Sequence, residues 1–175
     1  MNMADYEKAA LLISRNPQIY IAGPRPAVLV SDMEAVLTMR LPATYRRFLL
    51  EFGACELSPV QLYGIPGADL VNRPLPAGIV QTISLREKCK FPLDLLVIGD
   101  VGDGSLYCIE ARPDGSEGRV VVVEPGQEPL LRDTVATDFG EFFLAQIKQA
   151  LVIRAMSPAE RQQAMQVKPR GSLPG

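Results

Sequence analysis

Apolar residues recur at helical spacing from Ala4 to Arg15, at Tyr6, Ala10 and Ile13, until Asn16-Pro17 stops the run. A Pro-rich connector around Arg25 follows. Ser31-Asp-Met-Glu34 has the form of a capping box, in which a hydroxyl and a carboxylate satisfy the orphan amides of a first turn. The helix it predicts turns Met33, Val36 and Leu37 inward. Leu41-Pro42 restarts the chain, since a proline at a first helical position loses no hydrogen bond. Tyr45, Phe48, Leu49 and Phe52 then mark one buried face, and Gly53 supplies the C-terminal cap.

Beyond Leu57 the pattern shortens. Turn residues at Gly64, Pro66-Gly67 and Asn72 punctuate a strand expected over Val60 to Tyr63 and a second around Asp69 to Val71. Pro76 to Cys89 returns to helical spacing and ends at Phe91-Pro92. Strand signals follow at Leu95–Ile98, Leu106–Ile109 and Val120–Val123, separated by Gly99 to Gly104 and Pro113 to Gly118. Connections this short suit antiparallel neighbours. A weaker extended segment is expected at Pro129–Arg132, and Thr137 as the cap of a long helix carrying Phe139, Phe142, Phe143, Ile147 and Leu151. Ser157-Pro-Ala-Glu160 reads as a second capping box, and Val167 to Gly175 as a flexible tail. Helices, a meander of strands and a closing helix make one α+β domain, a mainly antiparallel sheet flanked by N-terminal and C-terminal helices.

Composition narrows the chemistry. The chain has 175 residues, 47% of them hydrophobic and 22% charged, which is room for one cored domain. There is no His and no Trp. That removes Ser-His-Asp triads, Cys-His pairs, HExxH zinc sites and imidazole acid/base chemistry together. The formal charge of −2 argues against direct nucleic-acid binding, which normally needs a dense basic face.

The charge is unevenly spread. Between Asp94 and Glu141 lie eleven acids against Arg112, Arg119 and Arg132, a balance of −8, while the remainder carries +6. Solvated turns between strands would account for this; so would an acidic patch that meets a basic partner. Arg40, Arg46 and Arg47 cluster near the second helix, and Arg86, Lys88 and Lys90 lie late in the third, where cations favour the helix dipole without needing a partner.

No catalytic, metal or cofactor motif emerges. Gly99-Asp-Val-Gly-Asp-Gly104 lacks the order of a dinucleotide loop and the Lys of a P-loop, and fails the calcium-loop pattern at Gly102 and Ala111. It reads as a tight turn between buried strands. Cys55, Cys89 and Cys108 form no CxxC pair and read as small buried apolar residues in a reducing compartment. No cofactor and no metal is expected. The first ten residues lack a signal-peptide core and no run is long enough to span a membrane, so a cytoplasmic protein is expected.

In order and spacing, these pieces resemble the SUKH superfamily, the domain of the fungal Smi/Knr cell-wall-assembly regulators and of many bacterial immunity proteins. The resemblance runs from about Ser31 to Leu151. It begins at Met33-Glu-Ala-Val-Leu and continues with LPxxYxxFLxxFG at Leu41 to Gly53 and a strand ending Leu-Tyr-Gly64. A helix with Thr82 and Arg86, PxDLLVIGDxGDG into LYCIE at Pro92 to Glu110, and DFxEFF at Asp138 to Phe143 complete it. The family's usual Asn-Gly-Gly after the second helix reads Phe52-Gly53-Ala54 here. The resemblance divides the chain into an N-terminal helix and connector (1–30), the SUKH-like domain (31–151) and a C-terminal helical extension and tail (152–175).

What the resemblance implies is a binding protein rather than an enzyme. Bacterial members look like antidotes that neutralise a cognate secreted toxin domain, often a basic nuclease or deaminase, by contact in the cytoplasm. Acids on the strand-to-strand turns, chiefly Asp100, Asp103, Glu110, Asp114 and Glu117, are the expected contacts. A regulatory or scaffold module with a housekeeping partner is the alternative.

Overall fold

The computed structural model describes residues 3–57, 60–67 and 75–166. In chain order the elements are α1 (Met3–Ser14), β1 (Tyr20–Ile21), α2 (Ala27–Leu37), α3 (Ala43–Phe52), β2 (Cys55–Leu57) and β3 (Val60–Leu62). Then come α4 (Ala77–Cys89), β4 (Leu95–Asp100), β5 (Leu106–Glu110), β6 (Val120–Val123), β7 (Asp133–Ala136), α5 (Phe139–Ala155) and α6 (Pro158–Gln166). Among the described residues the strands form one antiparallel sheet in the order β1 to β7; short loops join β4 to β5 and β5 to β6, while α2 and α3 intervene between β1 and β2 and α4 between β3 and β4. The expected α+β domain, with helices flanking an antiparallel sheet, is the architecture observed.

The central strands read as unbroken apolar runs because both of their faces are buried. Leu96, Ile98, Ile109 and Val120 point to the main core, with Tyr6 of α1, Met33 and Leu37 of α2, Phe48 of α3 and Phe143 of α5. The Phe48 ring lies 5.3 Å from Phe139 and 5.2 Å from Phe143, centroid to centroid, so α3 and α5 interlock through aromatic contacts. The alternate residues Leu95, Val97, Leu106, Cys108, Val121 and Val123 form a second cluster on the opposite face. Phe91, Leu85 of α4 and Leu130 of the β6–β7 loop cover it.

Helix α1 is part of the main core. Tyr6 is fully buried, its hydroxyl donates to Glu51 at 2.7 Å, and Arg47 sits 4.9 Å from its ring centre. Helix α4 docks edge-on to β4 beyond the end of β3: the buried Thr82 hydroxyl accepts from the Val97 amide at 3.0 Å and donates to Gly78 O at 2.7 Å.

Several local expectations shift. Helix α2 starts at Ala27, not Ser31, because Pro26 presets the entry and Leu29, Val30, Met33 and Leu37 make a longer buried face. Ser31 is therefore an exposed mid-helix residue, and Val36 is 45% exposed rather than inward. Glu34 reaches forward to accept from the Leu41 amide at 3.0 Å instead of capping backward. The seventh strand begins at Asp133, after Pro129–Arg132, because Leu130 turns into the second-face core. The cap of α5 is Asp138, whose carboxylate accepts from the Glu141 amide at 2.9 Å; Thr137, one residue earlier, donates to Glu141. The Ser157–Glu160 box forms in both directions. The strand expected at Asp69–Val71 and the Val167–Gly175 tail lie outside the described residues.

Candidate partner-binding surface

The five turn acids do not converge. Asp100 and Asp103 sit on the β4–β5 turn, whereas Glu110, Asp114 and Glu117 lie at and beyond the far end of β5. At ~3.4 Å per residue, β5 separates the two groups by about 14 Å. The sheet thus has a tip end, at the β4–β5 turn, and a root end, at the β5–β6 loop.

At the tip, both aspartates shape the turn. Asp100 accepts from the Gly102 amide at 2.6 Å and Asp103 from the Ser105 amide at 3.0 Å. Gly102 and Gly104 take positive φ of 97°, a conformation that a Cβ disfavours, so this is the tight turn its composition implies. Burial, and then the charge of Asp100, raises the Tyr63 phenol; burial and Asp103 do the same to Tyr107. The tip therefore offers two exposed carboxylates beside two half-buried tyrosines.

At the root, most carboxylates are engaged. Arg132 grips Asp94 at 2.7 and 3.1 Å and reaches Glu110 at 3.1 Å, while Arg119 holds Glu110 at 2.8 and 2.9 Å. The Arg132 hydrogen bond holds the Asp94 carboxyl below its ordinary range. Burial opposes the ionisation of Glu110, and the two guanidiniums more than offset it. Glu117 accepts from the Thr44 amide and hydroxyl at 2.8 and 2.7 Å. Asp114 is exposed, and its carboxylate accepts from the Ser116 amide at 2.9 Å.

Three walls of the root end enclose a groove of ≈ 270 Å³: Thr38–Arg40 between α2 and α3, Leu93 and Asp94 entering β4, and Ala111–Pro113 leaving β5. Hydrogen bonds brace these walls together. The Arg86 guanidinium donates to Leu37 O and Leu93 O, both at 2.9 Å, and the Ala111 amide donates to Asp94 O at 2.7 Å. Arg86 thus has two specific acceptors, correcting the expectation that the helix dipole alone accounts for it. Leu93 is 72% exposed at the mouth. Sequence reasoning missed this groove, because Leu93 looks like the approach to a strand and Arg86 like a solvated helix end. A helix start at Leu41-Pro42-Ala-Thr44 with no capping side chain of its own was the available signal that another segment must supply one.

Cys55 and Cys108 are buried, Cys89 is half-buried, and all three are free. Among the described residues no group of three or more Cys, Asp or Glu side chains is placed to hold a metal ion, and no helix is long and apolar enough to cross a membrane.

A SUKH family model described as SMI1-KNR4 cell-wall matches residues 29–143. The chain belongs to this family. No curated protein matches it. The SUKH match runs from within α2 to the first turn of α5, and so takes in both ends of the sheet, the braced groove and all five turn acids. Helix α1 precedes the matched span yet shares the main core.

Proposed function

We propose that this SUKH protein is a non-catalytic immunity protein, which binds a cognate secreted polymorphic toxin in the cytoplasm and neutralises it by contact. Family membership over 29–143 is the observation that carries the reading. The charge layout supports it: a −8 stretch with exposed acids at both ends of the sheet would attract a basic nuclease or deaminase domain and speed its association. In this reading Asp100, Asp103 and Asp114 meet the toxin, and Glu110 and Glu117 shape the surface through Arg119, Arg132 and Thr44.

Co-purification with the toxin domain encoded beside this chain, with affinity by calorimetry, tests the proposal. The expected result is a nanomolar complex in which toxin activity is blocked. Lysine at Asp100, Asp103 and Asp114 together should slow association at least tenfold at low salt, with the difference shrinking as salt rises. No binding at micromolar concentration overturns the immunity reading. The cell-wall description of the matched family would then favour a regulatory or scaffold module with a housekeeping partner.

A further inference from the structure

The root groove differs in charge from the turns around it. Its lining acid, Asp94, is held by Arg132, and the neighbouring Glu117 is held by Thr44. Its two lining arginines, Arg40 and Arg112, are both exposed, and neither makes a side-chain hydrogen bond or ion pair among the described residues. By contrast Arg46 pairs with Glu34 at 3.9 Å, and Arg47 with Glu51 at 2.8 Å and Glu7 at 3.5 Å. Both arginines that line the groove thus lack an ion-pair partner among the described residues, Asp114 lying near Arg112 but held to the Ser116 amide.

Thr38 apart, the rest of the lining is apolar. Leu93, Met39, Ala111 and Pro113 share the lining with the arginines and Asp94. The Arg40 stem is also supported: a Cβ built on Gly115 would lie 3.5 Å from Arg40 Cβ and 3.8 Å from its Cδ, so Arg40 runs alongside the β5–β6 loop. With the walls braced by Arg86 and by the Ala111 amide, little ordering remains to oppose a ligand.

We propose that this groove docks an acidic segment of a protein partner, whose carboxylates pair with Arg40 and Arg112 while an apolar side chain lies against Leu93, Met39 and Pro113. Guanidiniums suit carboxylates because their planar fork matches two acceptor oxygens. A polyanionic nucleic acid fits less well. Two arginines flanking an apolar centre are not the continuous basic track that a run of phosphates needs. An exposed leucine within a rim of charged groups has the anatomy of a small protein interface. The groove therefore addresses the opposite charge from the tip of the sheet, and the inference stands independently of whether the partner is a toxin.

Two-dimensional NMR on the isotope-labelled full chain tests it, with the capped peptide acetyl-Gly-Glu-Phe-Glu-Gly-amide, its lysine counterpart acetyl-Gly-Lys-Phe-Lys-Gly-amide, and inorganic phosphate as probes. The acidic peptide should shift the Met39, Leu93 and Ala111 amides and the Nε–H signals of Arg40 and Arg112, saturably. Arg112→Glu, at an exposed loop position, should weaken that binding at least fivefold, and Arg40→Glu with Arg112→Glu at least tenfold, while the remaining signals stay in place. No saturable shift up to millimolar peptide overturns the proposal. So does an equal response to the lysine peptide, or to phosphate alone, and so does a response centred away from the groove.

Discussion

Glu117 caps the first turn of α3 at Thr44, 73 residues earlier: its carboxylate accepts from the Thr44 amide at 2.8 Å and from the Thr44 hydroxyl at 2.7 Å. Helix α3 starts after Pro42, which has no side-chain acceptor for the orphan amides of the first turn. The β5–β6 loop supplies the missing carboxylate, and a negative charge there also favours the helix dipole. One contact thereby joins the helical layer to the root of the sheet.

Replacing Glu117 with alanine removes that cap and leaves a buried hydroxyl and an amide without their acceptor. The expected loss is about 1–2 kcal/mol of unfolding free energy, read from urea denaturation at pH 7. Asp114→Ala, three positions away and fully exposed, should leave the urea midpoint unchanged. Equal midpoints for Glu117→Ala and the parent protein would show that the cap carries no stability. Any weakening of partner binding in a Glu117 variant must therefore be judged against its stability, whereas Asp114 can be varied cleanly.

The Asp94–Arg132–Glu110 network makes stability depend on acid. Both carboxyls are held below their ordinary values in the folded chain, so the unfolded chain binds protons first as pH falls. Their contribution is complete above the unfolded values, about pH 4, and is lost as pH drops through the folded ones. Arg132→Ala should cost about 1 kcal/mol at pH 7, a figure kept low because Asp94 is about half exposed. At pH 3 the gap between variant and parent should narrow. Urea midpoints at the two pH values measure this, and a gap of unchanged size would refute the linkage.

The order of the central sheet was legible because runs such as Leu95–Ile98 and Val120–Val123 leave no other reading, and glycine-rich turns separate them. What escaped the sequence depends on distant partners. Strand β1 is only Tyr20–Ile21 and exists by pairing with Glu56 and Cys55, so no periodicity could announce it. Ser31 and Glu34 have the spacing of a cap, yet the buried face continuing back to Leu29 extends the helix through them. The five acids could be found by type, but their division between tip and root follows from the strand register. Arg40 stood out only as part of a basic cluster and Arg112 only as one of three bases in the acidic stretch; that both line one groove follows from the packing of the α2–α3 connection against the ends of β4 and β5.

Helix α4 is held against β4 by two small residues one turn apart. A Cβ on Gly78 would come within 2.6 Å of Val97 O, a backbone atom that cannot step aside. Gly78→Ala should push the helix off the strand and lower stability. Thr82→Val keeps the shape but leaves the buried Val97 amide without its acceptor, at a cost of about 1–3 kcal/mol. Thr82→Ser should recover most of that loss. Hydrogen exchange at the Val97 amide gives a local readout, expected to accelerate in Thr82→Val and to stay slow in Thr82→Ser.

The cysteines report on the cover of the second face. Burial pushes the Cys55 and Cys108 thiols up to about 12, so neither supplies thiolate near neutral pH, whereas Cys89 is half-buried at the end of α4. Iodoacetamide at pH 8 should therefore modify Cys89 on the native chain and reach the other two only after unfolding, as mass spectrometry of the digested protein would show. Cys108 shares its cluster with Leu130, and Arg132 ties the same loop to Asp94 and Glu110. Arg132→Ala should let that loop open more often and raise the alkylation rate of Cys108 several-fold, with Cys55, in the main core, unaffected. Equal acceleration at both thiols would instead mean that the variant exposes Cys108 only through global unfolding.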